Sequence, residues 1–243
     1  MDWSDEGIVL SQRPHGETSA IVEIFTRERG RHMGLVKGGR SRARRPILQV
    51  GNHVDVTWRA RLEDHLGQFT VELRHGYAAE VMTDRMALAG LSSLCDMGRL
   101  LAERDPHANL YEISLFVLSF MGDDDVWPSL LARWELALLD ELGFGLDLTS
   151  CAATETTDDL IYVSPKSGRA VSREAGAPYK DKLLPLPAFL REGRQGDPQP
   201  DDVVNGLTLL GYFFNKHIYG PREIAMPEVR TRLIGYLKKR KLA

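Results

Sequence analysis

Five cations stand between residues 37 and 45, in the run VKGGRSRARRP: Lys37, Arg40, Arg42, Arg44 and Arg45, with no acid among them. Guanidinium groups offer a planar fork of donors that matches the oxygens of a phosphate. Gly38 and Gly39 let the backbone approach a ligand that a side chain would hold off. The plain alternative is a solvated charged loop. Five cations in so short a stretch, uncompensated, favour phosphate binding. The field is local, because the whole chain carries a formal charge of −3 and gives no global case for a nucleic-acid binder. Residues 1–75 hold twelve Lys and Arg against ten Asp and Glu, and within them residues 27–45 hold eight bases against Glu28. Arg59 and Arg61 fall on the polar side of the alternating stretch VDVTWRARL and extend the cationic track.

Other chemistry is missing. There is no Gly-x-x-x-x-Gly-Lys-Ser/Thr phosphate loop, which removes nucleotide hydrolysis by that route. GFG at 143–145 reads as a helix C-cap rather than a dinucleotide fingerprint. Asp123, Asp124 and Asp125 read as a solvated loop at a helix entrance rather than a cation site. The seven histidines show no metal or relay spacing. Cys95 and Cys151 make neither a disulfide framework nor a complete metal site, and are expected to be inert thiols in a reducing cytosol. No catalytic residues and no cofactor are expected. MDWSDEGIVL lacks the basic region and apolar run of a signal peptide. No apolar run reaches the roughly 18 residues of a spanning helix, so a soluble cytoplasmic protein with no membrane partner is expected.

The elements that must position the arginines follow from two periods. GIVLSQR, SAIVEIFT, RHMGLVK, VDVTWRARL and QFTVELRH are short, β-branched and separated by turn residues. Val54, Val56, Trp58, Ala60 and Leu62 alternate onto one face, as do Phe69, Val71 and Leu73. Five strands with no intervening helix exclude a parallel sheet and favour a small closed or nearly closed barrel over residues 1–78. Barrels of the OB type bind single strands through a positive groove and aromatic faces; Phe25 reads as exposed and Trp58 as core. After residue 78 the spacing becomes helical, with Met82, Met86, Ala89, Leu94 and Met97 on one face. Leu110, Ile113, Phe116, Val117 and Phe120 mark a buried helix. PSLLARWELALLDELG opens at Pro128 and stops at Gly143, and two more helices cover 201–219 and 227–240. A hairpin around PKSG falls near 150–175, and a mobile linker is expected at about 191–202. The fold class is α+β, multidomain: residues 1–78, then a helical domain over 79–243.

GIVLSQRPHGETSAIVEIFTRERGRHMGLVKGGRSR at 7–42, RWELALLDELGFGLDLTSC at 133–151, and YVSPKSGRAVS with LLPLPAFL at 162–190 together resemble, in order, the RecO family of bacterial recombination mediators. The resemblance implies an N-terminal OB barrel and a C-terminal helical domain. It implies binding to single- and double-stranded DNA, strand annealing, capture of the acidic, Phe-terminated tail of single-stranded DNA-binding protein, and loading of RecA together with RecR. Some family members carry a four-cysteine zinc site; here Cys151 stands in CAAT with Thr154 at a second ligand position and Ser172 nearby. That implies a metal-free, degenerate zinc-ribbon-like hairpin, since one thiolate cannot hold a tetrahedral zinc. The expected location is cytoplasmic and nucleoid-associated.

The leading expectation is therefore a non-enzymatic DNA-binding mediator. The alternatives are an RNA-binding accessory barrel, an adaptor whose basic stretch meets an acidic peptide, and an enzyme with an untraced site. The tail needs an apolar slot and cations, which the helical half supplies around Arg133 or on the last helix with Arg230, Arg232, Lys238 and Lys239.

Overall fold

The computed structural model describes residues 1–191 and 198–240. The core of the linker expected at 191–202 lies outside them. The chain divides into two compact units, residues 1–124 and residues 125 onward.

The first unit is built on five strands: β1 (Asp2–His15), β2 (Ser19–Thr26), β3 (Gly30–Val36), β4 (His53–Arg59) and β5 (Gln68–His75). They hydrogen-bond in the cyclic order β1-β2-β3-β5-β4 and close into a barrel. β1 serves two neighbours: Asp2–Ile8 pair with β4 and Gly7–His15 with β2, with a register break between Val9 and Ser11. That irregularity bends the strand so that one segment can turn the barrel's corner. Closure comes from a parallel seam where Leu35 meets Gln68, so the exclusion of parallel pairing holds for the sheet as a whole and fails at this seam. Val9, Val22, Ile24, Val54, Val56, Trp58, Phe69 and Val71 fill the interior. Gly34 is required there, since a Cβ would stand 2.5 Å from the Phe69 ring.

The alternation read from sequence overruns the strands. β4 ends at Arg59, so Arg61 lies in the following loop. Leu62 and Leu73, assigned inward, are exposed. Phe25, read as exposed, is 2 % exposed and meets Tyr111 edge-on at 5.6 Å. The outer face of β2 is covered as well as its inner face, which alternation cannot report.

Three helices complete this unit: α1 (Tyr77–Val81), α2 (Arg85–Gly98) and α3 (Ala108–Ser119). Asp84 separates the first two by capping α2, its carboxylate accepting from the Met86 and Ala87 amides at 2.7 and 3.1 Å. Met82 falls in the break and Phe116 on the outer side of α3, both exposed rather than core. The compact unit therefore runs past the change of period after β5 to the loop before α4.

The second unit contains α4 (Trp127–Glu141), β6 (Leu160–Val163), β7 (Ala170–Ser172), the short α5 (Arg173–Gly176), β8 (Leu184–Pro185), α6 (Pro200–Phe214) and α7 (Glu228–Arg240). α4 begins with Pro128 in its first turn. Past its end, Gly143 at φ 82° donates to the Asp140 carbonyl while Phe144 donates to that of Leu139, the paired bonds of a glycine C-cap. The hairpin β6–β7 gains β8 as a third strand, in the order β7-β6-β8. Leu131, Trp134, Leu138, Leu207, Leu210, Phe214, Leu233 and Leu237 supply the helical core. Among the described residues no helix is long and apolar enough to cross a membrane.

Candidate nucleic-acid interface

The basic stretch is not a slack loop. Residues 41–48 coil in successive turns, with Arg44 and Arg45 donating backbone N–H to Ser41 and Leu48 donating to Arg44. Leu48 is fully buried and belongs to the barrel core, so it plugs the barrel from the end of this coil. Asn52 staples the return: its Nδ2 donates to the carbonyls of Pro46 and Ile47 at 2.8 and 3.2 Å, and its Oδ1 accepts from Ala78 N at 3.2 Å. One face of the coil is thereby fixed to the barrel and the other is held in solvent.

The five cations divide by this anchoring. Arg40 Nη1 donates to the carbonyls of Gly16 and Glu17 at 3.0 and 2.9 Å, tying the coil to the β1–β2 turn. Arg44 Nη1 donates to Val71 O at 2.8 Å, and the side chain is half-buried. Lys37, Arg42 and Arg45 are exposed, with no side-chain hydrogen bond or ion pair among the described residues. Arg59 is exposed but stands 4.0 Å from Asp2, its register partner on β1. Arg61 is exposed in the β4–β5 loop.

The eight bases counted between residues 27 and 45 do not form one field. Arg27 and Arg29 lie in the β2–β3 turn, Arg31 at the start of β3 and Lys37–Arg45 beyond its end, about 20 Å away along a seven-residue strand. Arg31 is absorbed by the buried Glu23, which also accepts from Ser11 and Arg99 at 2.8 Å. Burial alone would raise the Glu23 carboxyl; hydrogen bonds from Ser11 and Arg31 and the nearby guanidinium charges outweigh it and hold it below its ordinary value. Arg27 pairs with Glu6 and Glu112 at 3.3 and 2.8 Å.

This second end of the barrel holds a cluster that spacing could not reveal. Trp3 stacks on Trp58 with ring centres 5.7 Å apart, and His32 meets both rings edge-on at 5.1 and 5.0 Å. The residues come from β1, β3 and β4, and only barrel closure brings them together. Burial, then the charges of Arg104 and Arg29, push the His32 imidazole down to about 4.

In the second unit Arg230 is a correction. Grouped by sequence with surface cations, it is 2 % exposed and gives Glu135 two hydrogen bonds of 2.8 and 2.7 Å. Burial opposes its charge, but the Glu135 carboxylate outweighs that and raises the guanidinium pKa further. Gly211 makes room, since a Cβ there would stand 2.7 Å from Nη1. Arg232, Lys238 and Lys239 are exposed on α7. Arg133 is exposed on α4, with its Nε donating to Phe189 O at 3.0 Å. Beside Phe189, Leu190 and Arg191 line a cavity of about 310 Å³ together with Leu136, Leu146 and Leu148. Sequence patterns do not show this slot, because its leucines come from three separate segments.

Cys151 Sγ accepts a hydrogen bond from Ser172 N at 3.3 Å. Burial would raise this thiol; hydrogen bonds from Thr154 and from the backbone and side chain of Ser172 outweigh it and bring it to about 6. Among the described residues no three His, Cys, Asp or Glu side chains are grouped to hold a metal ion.

The chain is thus a two-unit α+β protein: a small closed barrel displaying a stapled cationic coil, followed in sequence by a helical unit with an added three-stranded sheet. The model of Recombination protein O N terminal matches residues 1–77, and that of Recombination protein O C terminal matches residues 82–223. The chain is 53 % identical over 239 residues to DNA repair protein RecO of Mesorhizobium japonicum, covering 98 % of this chain and 94 % of that one. It is 52 % identical to the protein of the same name from Methylobacterium nodulans, covering 97 % of each. It is 51 % identical to that of Brucella abortus, covering 97 % of this chain and 95 % of the relative. The chain belongs to the RecO family.

Proposed function

We propose that this protein acts in DNA repair and recombination as a non-enzymatic mediator. It binds single- and double-stranded DNA, anneals complementary strands, and works with RecR to help load RecA onto DNA coated with single-stranded DNA-binding protein. The observation that carries the DNA-binding reading is the stapled coil: Lys37, Arg42 and Arg45 are held in solvent on a fixed backbone, without partners among the described residues. Fixed, unpaired cations gain from neutralising phosphates and releasing their counterions. Arg40 and Arg44 position the coil; Arg59, which has Asp2 beside it, and Arg61 lie at and beyond the far end of β4 and meet phosphates apart from the coil rather than extending it. The closed order β1-β2-β3-β5-β4 supports an OB-type barrel.

The acidic, Phe-terminated tail of single-stranded DNA-binding protein docks in the helical unit, with its ring in the slot lined by Leu136, Leu146, Leu148 and Leu190 and its carboxylates met by Arg133. The β6–β7 hairpin is read as a zinc-ribbon remnant.

The test is annealing of complementary strands coated with their binding protein. Wild type is expected to accelerate it without nucleotide, and Arg42→Ala/Arg45→Ala to lose most of the acceleration. Equal rates with and without protein would sink the mediator role. Tighter binding to RNA than to DNA of the same sequence at fixed salt would favour an RNA-binding accessory instead.

A further inference from the structure

The end of the barrel opposite the arginine coil carries chemistry that phosphate binding does not use. Trp3, His32, Trp58, Arg29, Arg104 and Pro106 line a cavity of about 420 Å³, within the range of roughly 300–1,000 Å³ of small-molecule sites. His32 is 4 % exposed, and neither ring nitrogen has a hydrogen-bond partner among the described residues. Arg104 differs: its Nε makes no hydrogen bond but stands 3.8 Å from the Glu103 carboxylate, and its Nη2 donates to His65 O at 3.2 Å. Buried polar groups such as the imidazole nitrogens cost stability until something pairs with them.

We propose that this cavity is a subsite for one unstacked nucleobase of a single strand, an inference that rests on the DNA-binding role proposed above. Its chemistry selects a flat, uncharged group. Trp3, half-buried and braced by its stack on Trp58, supplies an aromatic face at the cavity, and stacking on such a face serves every base. A neutral imidazole keeps one N–H to donate and one lone pair to accept, the functions that a base edge complements. The rim charge is mixed, because Asp2, Glu28 and Glu63 line the same cavity as Arg29 and Arg104. An isolated anion therefore gains little here. A base gains the ring face and the imidazole, and its adjoining phosphate meets Arg29, which is exposed and without an ion pair among the described residues.

The experiment compares two strands of equal length and charge, an oligothymidylate and its fully abasic counterpart, titrated against the full chain at fixed salt. Wild type is expected to bind the abasic strand about tenfold more weakly, the order of one base–aromatic stack. Trp3→Leu and His32→Phe are each expected to bring the two strands closer while leaving affinity for the abasic strand unchanged. Trp127 and Trp134 are buried away from the cavity, so quenching of intrinsic fluorescence by oligothymidylate and not by the abasic strand reads on the stacked pair Trp3 and Trp58, and it decides the matter if the variants do not fold. Equal affinity for both strands with no difference in quenching overturns the subsite and leaves DNA binding intact. A preference for bases that survives in both folded variants also overturns it. Failure of wild type to bind either strand overturns both the subsite and the DNA-binding role beneath it.

Discussion

Arg42 and Arg230 have the same side chain and opposite circumstances. Arg42 stands in solvent on a coil whose backbone is fixed from behind by Leu48 and Asn52, and it has no partner among the described residues. Arg230 is buried in the helical unit, where both oxygens of Glu135 and the Leu207 carbonyl accept its hydrogens. The first is positioned to act on something else, and the second is consumed by the fold. A count of positive charges treats them alike. What separates them is whether the desolvation of the guanidinium has been met inside the protein.

Removing the buried arginine should have the greatest effect on stability. Arg230→Ala leaves Glu135 fully buried and without that partner, and the expected loss is about 3–5 kcal/mol of unfolding free energy. Urea titration followed by circular dichroism reads it directly. Arg230→Met combined with Glu135→Leu removes both charges and keeps the volume, and recovery of most of that loss is expected. If Arg230→Ala costs less than about 1 kcal/mol, the pair is not structural, and Arg230 returns to the candidates for binding the tail.

His32 provides a second comparison, this time with acid as the probe. The imidazole is held at about 4 in the folded chain against 6.5 as its ordinary value. Between those values the unfolded chain takes up a proton that the folded chain refuses. Stability from this group is thus fully present above pH 6.5 and falls as pH drops toward 4, by up to about 3 kcal/mol. Denaturant midpoints at pH 7 and pH 4.5 should show that drop in wild type, and a smaller one in His32→Phe. An unchanged pH response in a folded His32→Phe variant would mean that another group carries the acid sensitivity.

How far the sequence went follows from the range of its signals. Alternation located five strands, and the Pro128 and Gly143 signals bounded α4, because these are local effects of backbone and turn chemistry. Alternation reports one covered face at a time, so Phe25 was misplaced when both sides of β2 proved covered, and Leu62 and Leu73 when the periodic pattern outran burial. The cationic coil was legible because its five charges are adjacent in the chain. The Trp3–His32–Trp58 cluster was not, since its members lie on three strands and meet only on closure. The same holds for the slot beside Arg133 and for the fate of Arg230, which depends on a glutamate 95 residues away.

The exposed arginines should matter least to stability. Arg42 and Arg45 contribute no side-chain hydrogen bond or ion pair to the fold among the described residues, so Arg42→Ala/Arg45→Ala should change unfolding free energy by no more than about 0.5 kcal/mol. The same variant should weaken single-strand binding and flatten the dependence of log K on log salt by roughly 0.7 for each phosphate that is no longer neutralised. Arg44→Ala is the internal control. It removes the donor to the Val71 carbonyl and should cost about 1 kcal/mol of stability. If its guanidinium is spent on that anchor, its effect on the salt slope will be smaller than that of Arg42 or Arg45. Denaturation and salt-dependent anisotropy on the three single variants would then give opposite rank orders. A single shared order, with stability and slope falling together, would mean that the coil's cations are not divided between anchoring and binding, and that charge count predicts their behaviour better than solvent access does.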